Sequence, residues 1–216
     1  MRTDINKNSK KYYLGSQNKY SYKNSKLGRT SYNRQPINHK IRAIYFVVAL
    51  IVSGLTAMYA IKIGLNPPMG FIYGCVGANV AVVIVSLIFR IPTHLYVLAL
   101  IFVYMASPLG SIMNFYRSID PYDKIVHFFS GILIAAFGWF IITKLLPVVD
   151  GKTKFIACMV AFLFASAGAG IWEIFEFSAD KLAGGEMQRG MIDTVTDMIA
   201  GNLGGIGYSV VRAIKK

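Results

Sequence analysis

Acidic residues are scarce in this chain. Ten Asp and Glu stand against 23 Lys and Arg in 216 residues, and only 15% of all residues are charged. That is too little charge to clothe an ordinary soluble domain. Cysteine is nearly missing: Cys75 and Cys158 both fall inside apolar segments. Two such residues exclude a multi-bridge disulfide framework and a cysteine zinc site, and they read as small buried packing residues. The chain has no HExxH, no ExxH, no P-loop, no GxSxG and no glycine-rich nucleotide fingerprint, so the enzyme classes that carry those signatures lose their support. No apolar run appears in the first 40 residues, so no cleavable signal peptide is expected and the first membrane helix must direct insertion. No internal repeat is evident.

Apolar sequence is what the chain has in quantity. Hydrophobic residues make up 55% of it, and the mean hydropathy is +0.49. Six apolar segments each approach the ~20 residues needed to cross a bilayer: 43–63, 69–89, 93–113, 122–146, 154–177 and 193–211. Asn66-Pro67-Pro68, Arg90-Ile91-Pro92 and Pro147 break the runs, and Arg212, Lys215 and Lys216 close the last. The expected fold is all-α: a six-helix transmembrane domain over residues 41–216, preceded by a disordered basic tail over residues 1–40.

Residues 1–42 carry eleven Lys and Arg against one acid, Asp4, with five tyrosines interspersed. Basic residues among aromatics can bind nucleic acid. The preferred reading is a topology determinant lying on an anionic leaflet, with no nucleic-acid partner expected. With the amino terminus inside, eighteen Lys and Arg fall on the inner side and five on the outer. Both termini are therefore expected to be cytoplasmic, in a bacterial plasma membrane.

The acids follow a separate pattern. In that topology eight of the ten lie outside or near the outer ends of helices: Asp120, Asp123, Glu173, Glu176, Asp180, Glu186, Asp193 and Asp197. Asp120-Pro121 reads as a helix start, with Asp120 at the N-cap and Asp123 in the first turn. His127 lies four residues, or roughly 6 Å, further along the same face as Asp123. It reads as a ligand, a proton carrier or a hydrogen-bonded core residue, with Asp123 placed to orient its ring. Glu173 and Glu176 interrupt an apolar run, GIWEIFEF, so they do not form a solvated face. Ion pairs with Lys124, Lys181 or Arg189 would explain them structurally. Asp180 and Glu186 read as solvated loop residues. Asp193 would cap the sixth helix, and Asp197 lies one turn deeper. Gly201, Gly204, Gly205 and the ASAGAG run at 165–170 allow close helix approach.

Several carboxylates converging in a low dielectric require protons or a cation among them. Oxygen ligands with one imidazole suit Mg²⁺, Mn²⁺ or Ca²⁺, with Zn²⁺ and Fe²⁺ as further options. The metal ligands expected are Glu173, Glu176, Asp193 and Asp197, with His127 and Asp123 as the acid/base pair.

Three stretches, DKIVHFFSGIL, WEIFEF and QRGMIDTVTDMIAGNLGGIGY, together resemble the uncharacterised bacterial inner-membrane family typified by YjdF. Its pattern is D-x-x-x-H on one helix, E-x-x-E on the next, and D-x-x-x-D-M opening the last. The order of motifs is also similar to VanZ-like proteins, whose founding member is linked to glycopeptide-antibiotic resistance. That branch typically has E-x-x-Q where this chain has Glu173 and Glu176. The resemblance covers residues 120–208 and carries over Asp123, His127, Glu173, Glu176, Asp193 and Asp197; neither family supplies a reaction.

Three functions follow as alternatives. One is a metal-dependent enzyme acting on an outer-leaflet lipid, an envelope precursor or a small molecule. One is a cation- or proton-coupled transporter, against which the nearly uncharged inner halves of the helices count. One is a non-catalytic envelope factor whose acids only pair the loops. The bilayer is the one partner that all three share, and the sequence leaves the oligomeric state open.

Overall fold

The computed structural model describes residues 38–146, 151–184 and 187–215, which belong to one unit. The expected tail up to residue 37 lies outside the described residues, as do Asp150 and Glu186. Every regular element among the described residues is helical. The helices are α1 (His39–Lys62), α2 (Met69–Ile88), α3 (Thr93–Tyr104), α4 (Phe115–Ser118), α5 (Tyr122–Leu145), α6 (Gly151–Ala183) and α7 (Met191–Ile214).

Their ends follow local chemistry. Asn38 caps α1 by accepting the Ile41 N–H at 3.2 Å, which starts the helix four residues before the apolar run that announces it. Arg90, at φ 50°, turns α2 into α3, and Pro92 occupies the α3 N-cap. The α3 helix runs on as a π segment, Met105–Ile112, that contains Pro108. A proline has no N–H to donate, and the wider turn accommodates its ring. Asn114, at φ 61°, then reverses the chain into the single turn of α4. Pro121 is the N-cap of α5, so the helix begins one residue later than Asp120-Pro121 alone suggests, and Asp120 makes no capping bond there.

Five helical stretches are long and apolar enough to cross a membrane: α1, α2, α3 with its π segment, α5 and α6. The sixth, α7, has 24 residues but is not among them, because Asp193, Thr194, Thr196, Asp197 and Asn202 dilute its apolar content. Its apolar residues Ile192, Ile199, Leu203, Val210 and Ile214 are exposed, while Asp197 and Gly201 are buried. The exposed apolar faces of α1 (Ile44, Ile51, Leu55, Met58) and α6 (Phe155, Leu163, Ile171) are what helices in contact with lipid require. At roughly 1.5 Å per residue, the 33 residues of α6 are longer than the ~30 Å hydrocarbon layer is thick.

The last three long helices pack on one another far more extensively than the first three pack on anything. Each offers a buried seam with a four-residue step: Asp123, His127, Gly131 and Ala135 on α5; Ala157, Ala161, Ala165, Ala169 and Glu173 on α6; Asp197, Gly201, Gly205 and Ser209 on α7. Residues four apart lie on one face. Small residues fill the seams through the middle of the bundle, and ionisable residues occupy the same seams at one end. The closest approach is backbone to backbone. A Cβ on Gly131 would overlap the Gly201 carbonyl, and one on Gly204 would overlap the Phe128 carbonyl. This seam fixes the position of the functional groups above it.

Candidate metal centre

The ionisable ends of the three seams meet where α5 begins, α6 ends and α7 begins. Asp123 and His127 sit one turn apart on α5, and the His127 Nε2 lies 3.5 Å from Asp123 Oδ1. Across the Gly131–Gly201 contact, Asp197 Oδ1 comes within 3.9 Å of the same nitrogen. One ligand atom from each of Asp123, His127 and Asp197 falls within 4.8 Å of the others. Oxygen and nitrogen ligands stand roughly 2.0–2.2 Å from a transition metal, so a small inward movement of the three would close on one ion.

Two cations serve this cluster. Lys124 Nζ lies 2.6 Å from Asp193 Oδ1, 2.7 Å from Asp197 Oδ1 and 3.9 Å from Asp123 Oδ2. The Asp193 contact is a hydrogen bond; the Asp197 contact is close but not aligned as one, and Asp197 Oδ1 has no hydrogen-bond partner. Arg189, in the loop before α7, pairs with Asp123 and donates from Nε to Asp193 at 3.2 Å. Its Nη1 also donates to the Tyr116 carbonyl at 3.1 Å, tying that loop to α4. Burial alone would weaken the Arg189 guanidinium as a base, but Asp123 and Asp193 outweigh it and hold its pKa above the usual value. The Tyr116 phenol beside it is pushed up by burial, and further by Asp123.

Glu173 stands apart. It is 95% buried, given its 5% exposure, yet neither carboxylate oxygen has a hydrogen-bond partner. Asp197, Asp193 and Asp123 are its charged neighbours, and Thr194 is the polar side chain beside it. The Thr194 hydroxyl in turn accepts from Gln188 Nε2 at 2.9 Å. Among the described residues Lys124 and Arg189 both pair with aspartates, and neither forms an ion pair with Glu173. Among the described residues these four carboxylates (Asp123, Glu173, Asp193, Asp197) share the two cations, so with all four ionised two negative charges would be unmatched.

The expected ligands are therefore distributed between two environments. The structure brings Asp197 and Glu173 together with Asp123 and His127. Asp193 lies at the same end but is engaged by Lys124 and Arg189. Glu176, three residues on from Glu173, accepts the Trp172 indole N–H at 2.7 Å and lies within electrostatic reach of Glu173, Asp123 and Asp197. Lys181 stacks on Phe177 with its Nζ 5.6 Å from the ring centre. Asp180 is part of α6 and is not a free loop residue: its carboxylate accepts the Met187 and Gln188 N–H groups, each at 2.8 Å, and anchors the loop. The residues that sequence reasoning missed are Lys124 and Arg189 as partners of the aspartates. Arg189 lies four residues before Asp193, and that i, i+4 spacing was the available signal.

Comparisons with known proteins place this geometry in a family without assigning it chemistry. An uncharacterised protein of Thermotoga maritima is 36% identical over 108 residues, which cover 47% of this chain and 53% of that protein. The match thus spans about half the relative's length. No solved structure matches. Residues 38–215, which include every described helix and every member of the cluster, match the family described as "Predicted membrane protein (DUF2238)", and the chain belongs to that family.

Proposed function

We propose that this membrane protein binds a divalent cation at the end of its bundle, through Asp123, His127 and Asp197, with Glu173 as a further carboxylate. The observation that carries the reading is the pairing of convergence with orphaned charge. Three donor atoms lie within 4.8 Å of one another, and the buried carboxylates of Asp197 and Glu173 beside them are faced, among the described residues, only by the Lys124 ammonium and the Thr194 hydroxyl. A cation supplies what such oxygens lack. Carboxylate oxygens with one imidazole favour Mn²⁺, Fe²⁺ or Zn²⁺.

A metal-dependent reaction on an anionic group at the bilayer surface is the second reading. Lys124 and Arg189, with side chains 33% and 40% exposed, flank the cluster where such a group would arrive. A phosphoryl oxygen of an envelope lipid is the chemistry they suit, with His127 as acid/base. A through-path for transport has less support, because all seven described acids lie at this one end of the bundle. In this reading the family is the YjdF-like one, while the VanZ likeness rests on motif order alone. The site faces outward from a bacterial plasma membrane, and the basic residues 1–40 form a cytoplasmic tail that holds the amino terminus inside.

The test is the metal content of the detergent-purified protein, wild type beside Asp197→Asn and His127→Ala. Near-stoichiometric Mn, Fe or Zn in the wild type, lost in both variants, is the expected result. A well-folded wild type with no metal, and with no change in melting temperature on adding divalent cations, would overturn the proposal.

A further inference from the structure

The opposite end of the bundle presents the converse problem, a buried cation short of acceptors. Arg42, in the first turn of α1, is only 5% exposed. Its Nη2 donates to the Ile91 carbonyl and lies 3.5 Å from Thr93 Oγ1. Its Nε and Nη1 are buried and have no hydrogen-bond partner. The guanidinium sits 5.3 Å from the Tyr96 ring centre, and the Tyr96 hydroxyl donates to the Arg42 carbonyl at 3.2 Å. These contacts hold the side chain in place without balancing its charge.

Nothing described nearby balances it either. The seven described acids lie at the other end, and the remaining three, Asp4, Asp150 and Glu186, are outside the described residues. Positive groups gather there instead. Lys144, at the end of α5, donates to the Phe89 carbonyl at 2.5 Å, two residues from the carbonyl that Arg42 holds. Arg90 lies between those two carbonyls, exposed on the left-handed turn. The α3 N-terminus begins at Thr93, behind Pro92, with no side-chain cap on its free N–H groups. An uncapped helix N-terminus, an unbalanced arginine and two further cations around one turn form an electropositive seat for a tetrahedral anion.

We propose that this turn binds a phosphate group, supplied by the headgroup of an anionic phospholipid. The depth of the site argues for a lipid source. Arg42 lies four residues into α1 as the structure describes it, and Thr93 and Lys144 lie at the ends of their own spans, where a headgroup phosphate sits. Arg42 gives the phosphate paired donors, Lys144 and Arg90 give charge, and the α3 N-terminus gives backbone N–H groups. The site shares no residue with the carboxylate cluster and does not depend on its metal.

The experiment is the thermal midpoint of the full chain in detergent with added phosphatidylglycerol, phosphatidylcholine, diacylglycerol or inorganic phosphate. Phosphatidylglycerol is expected to raise the midpoint by about 3–5 °C above phosphatidylcholine, as a ligand specific to the folded state does. Arg42→Gln should abolish that difference. Lys144→Gln, which leaves the buried arginine intact, should at least halve it even if Arg42→Gln fails to fold. Lys181→Gln, at the far end, should leave it unchanged. An equal shift from diacylglycerol or phosphatidylcholine, or a full shift retained in Lys144→Gln and in a folded Arg42→Gln, would overturn the site. A full shift from inorganic phosphate, lost in Lys144→Gln, would uphold the phosphate chemistry and overturn its lipid source.

Discussion

Lys124 Nζ lies 2.7 Å from Asp197 Oδ1, so the most deeply buried carboxylate of the cluster already faces a cation that the chain supplies. The ammonium is tethered to α5 and one-third exposed, which allows it to leave. Lys124 and a metal ion would therefore compete for Asp197.

Replacing Lys124 with Met makes that competition measurable. Without metal the variant should lose about 1–3 kcal/mol of stability, because Asp193 and Asp197 lose a partner in a largely dry site that solvent still screens in part. Added Mn²⁺ should then stabilise the variant by more than it stabilises the wild type. Melting curves at several Mn²⁺ concentrations decide this. A variant no more responsive to Mn²⁺ than the wild type would show that Lys124 and the ion do not share a position.

The backbone contact beneath the site gives a second prediction. Gly131→Ala forces a methyl group against the Gly201 carbonyl, which must move α5 away from α7. Overpacking of this kind costs about 1–3 kcal/mol. The displacement would also separate His127 from Asp197, so metal-induced stabilisation should fall along with the melting temperature. Gly207→Ala is the control: nothing lies within 4 Å of a Cβ there, and a helical alanine should be neutral or stabilising by up to about 1 kcal/mol.

The helices are far more legible in the sequence than the pairing of the charges is. The helices were legible because a bilayer imposes one length and one composition on each span, and Pro67, Pro92 and Pro147 mark the breaks. The four-residue seams were legible in part, as ASAGAG and the glycines after Asp197. Which carboxylate faces which partner was not. Glu173 and Glu176 are three residues apart and chemically alike, yet one is buried beside Asp197 and the other, half-buried, accepts the Trp172 N–H. That difference arises from the rotation of α6 about its axis, which packing of Ala161, Ala165 and Ala169 sets. The preference of Arg189 for Asp123 over the glutamates has the same origin, since it depends on where the loop after α6 returns.

Arg189 is the tie between that loop and the bundle, through Asp123, Asp193 and the Tyr116 carbonyl. Arg189→Gln keeps hydrogen-bonding capacity and removes the charge and the fork that reaches three partners. The expected outcome is faster cleavage by chymotrypsin at Met187 or Phe177 in detergent, with little change in global melting, because α5 and α7 remain joined through the glycine seam. Cleavage at the wild-type rate would mean that the Asp180 bonds to Met187 and Gln188 alone hold the loop.

Glu173 and Glu176 give the sharpest contrast. Glu173→Gln removes a buried charge that has no hydrogen-bond partner and substitutes a neutral amide of nearly the same shape. Without metal this should stabilise the protein by about 1–3 kcal/mol, the cost of an unsatisfied buried group. It should also reduce the stabilisation gained from Mn²⁺. Glu176→Gln exchanges one acceptor of the Trp172 N–H for another, so it should change neither quantity by more than about 0.5 kcal/mol. Melting temperatures of the three proteins, each with chelator and with Mn²⁺, test both statements together. If Glu173→Gln instead destabilises the metal-free protein, its carboxylate is already compensated, and the excess of negative charge that argues for a cation is smaller by one.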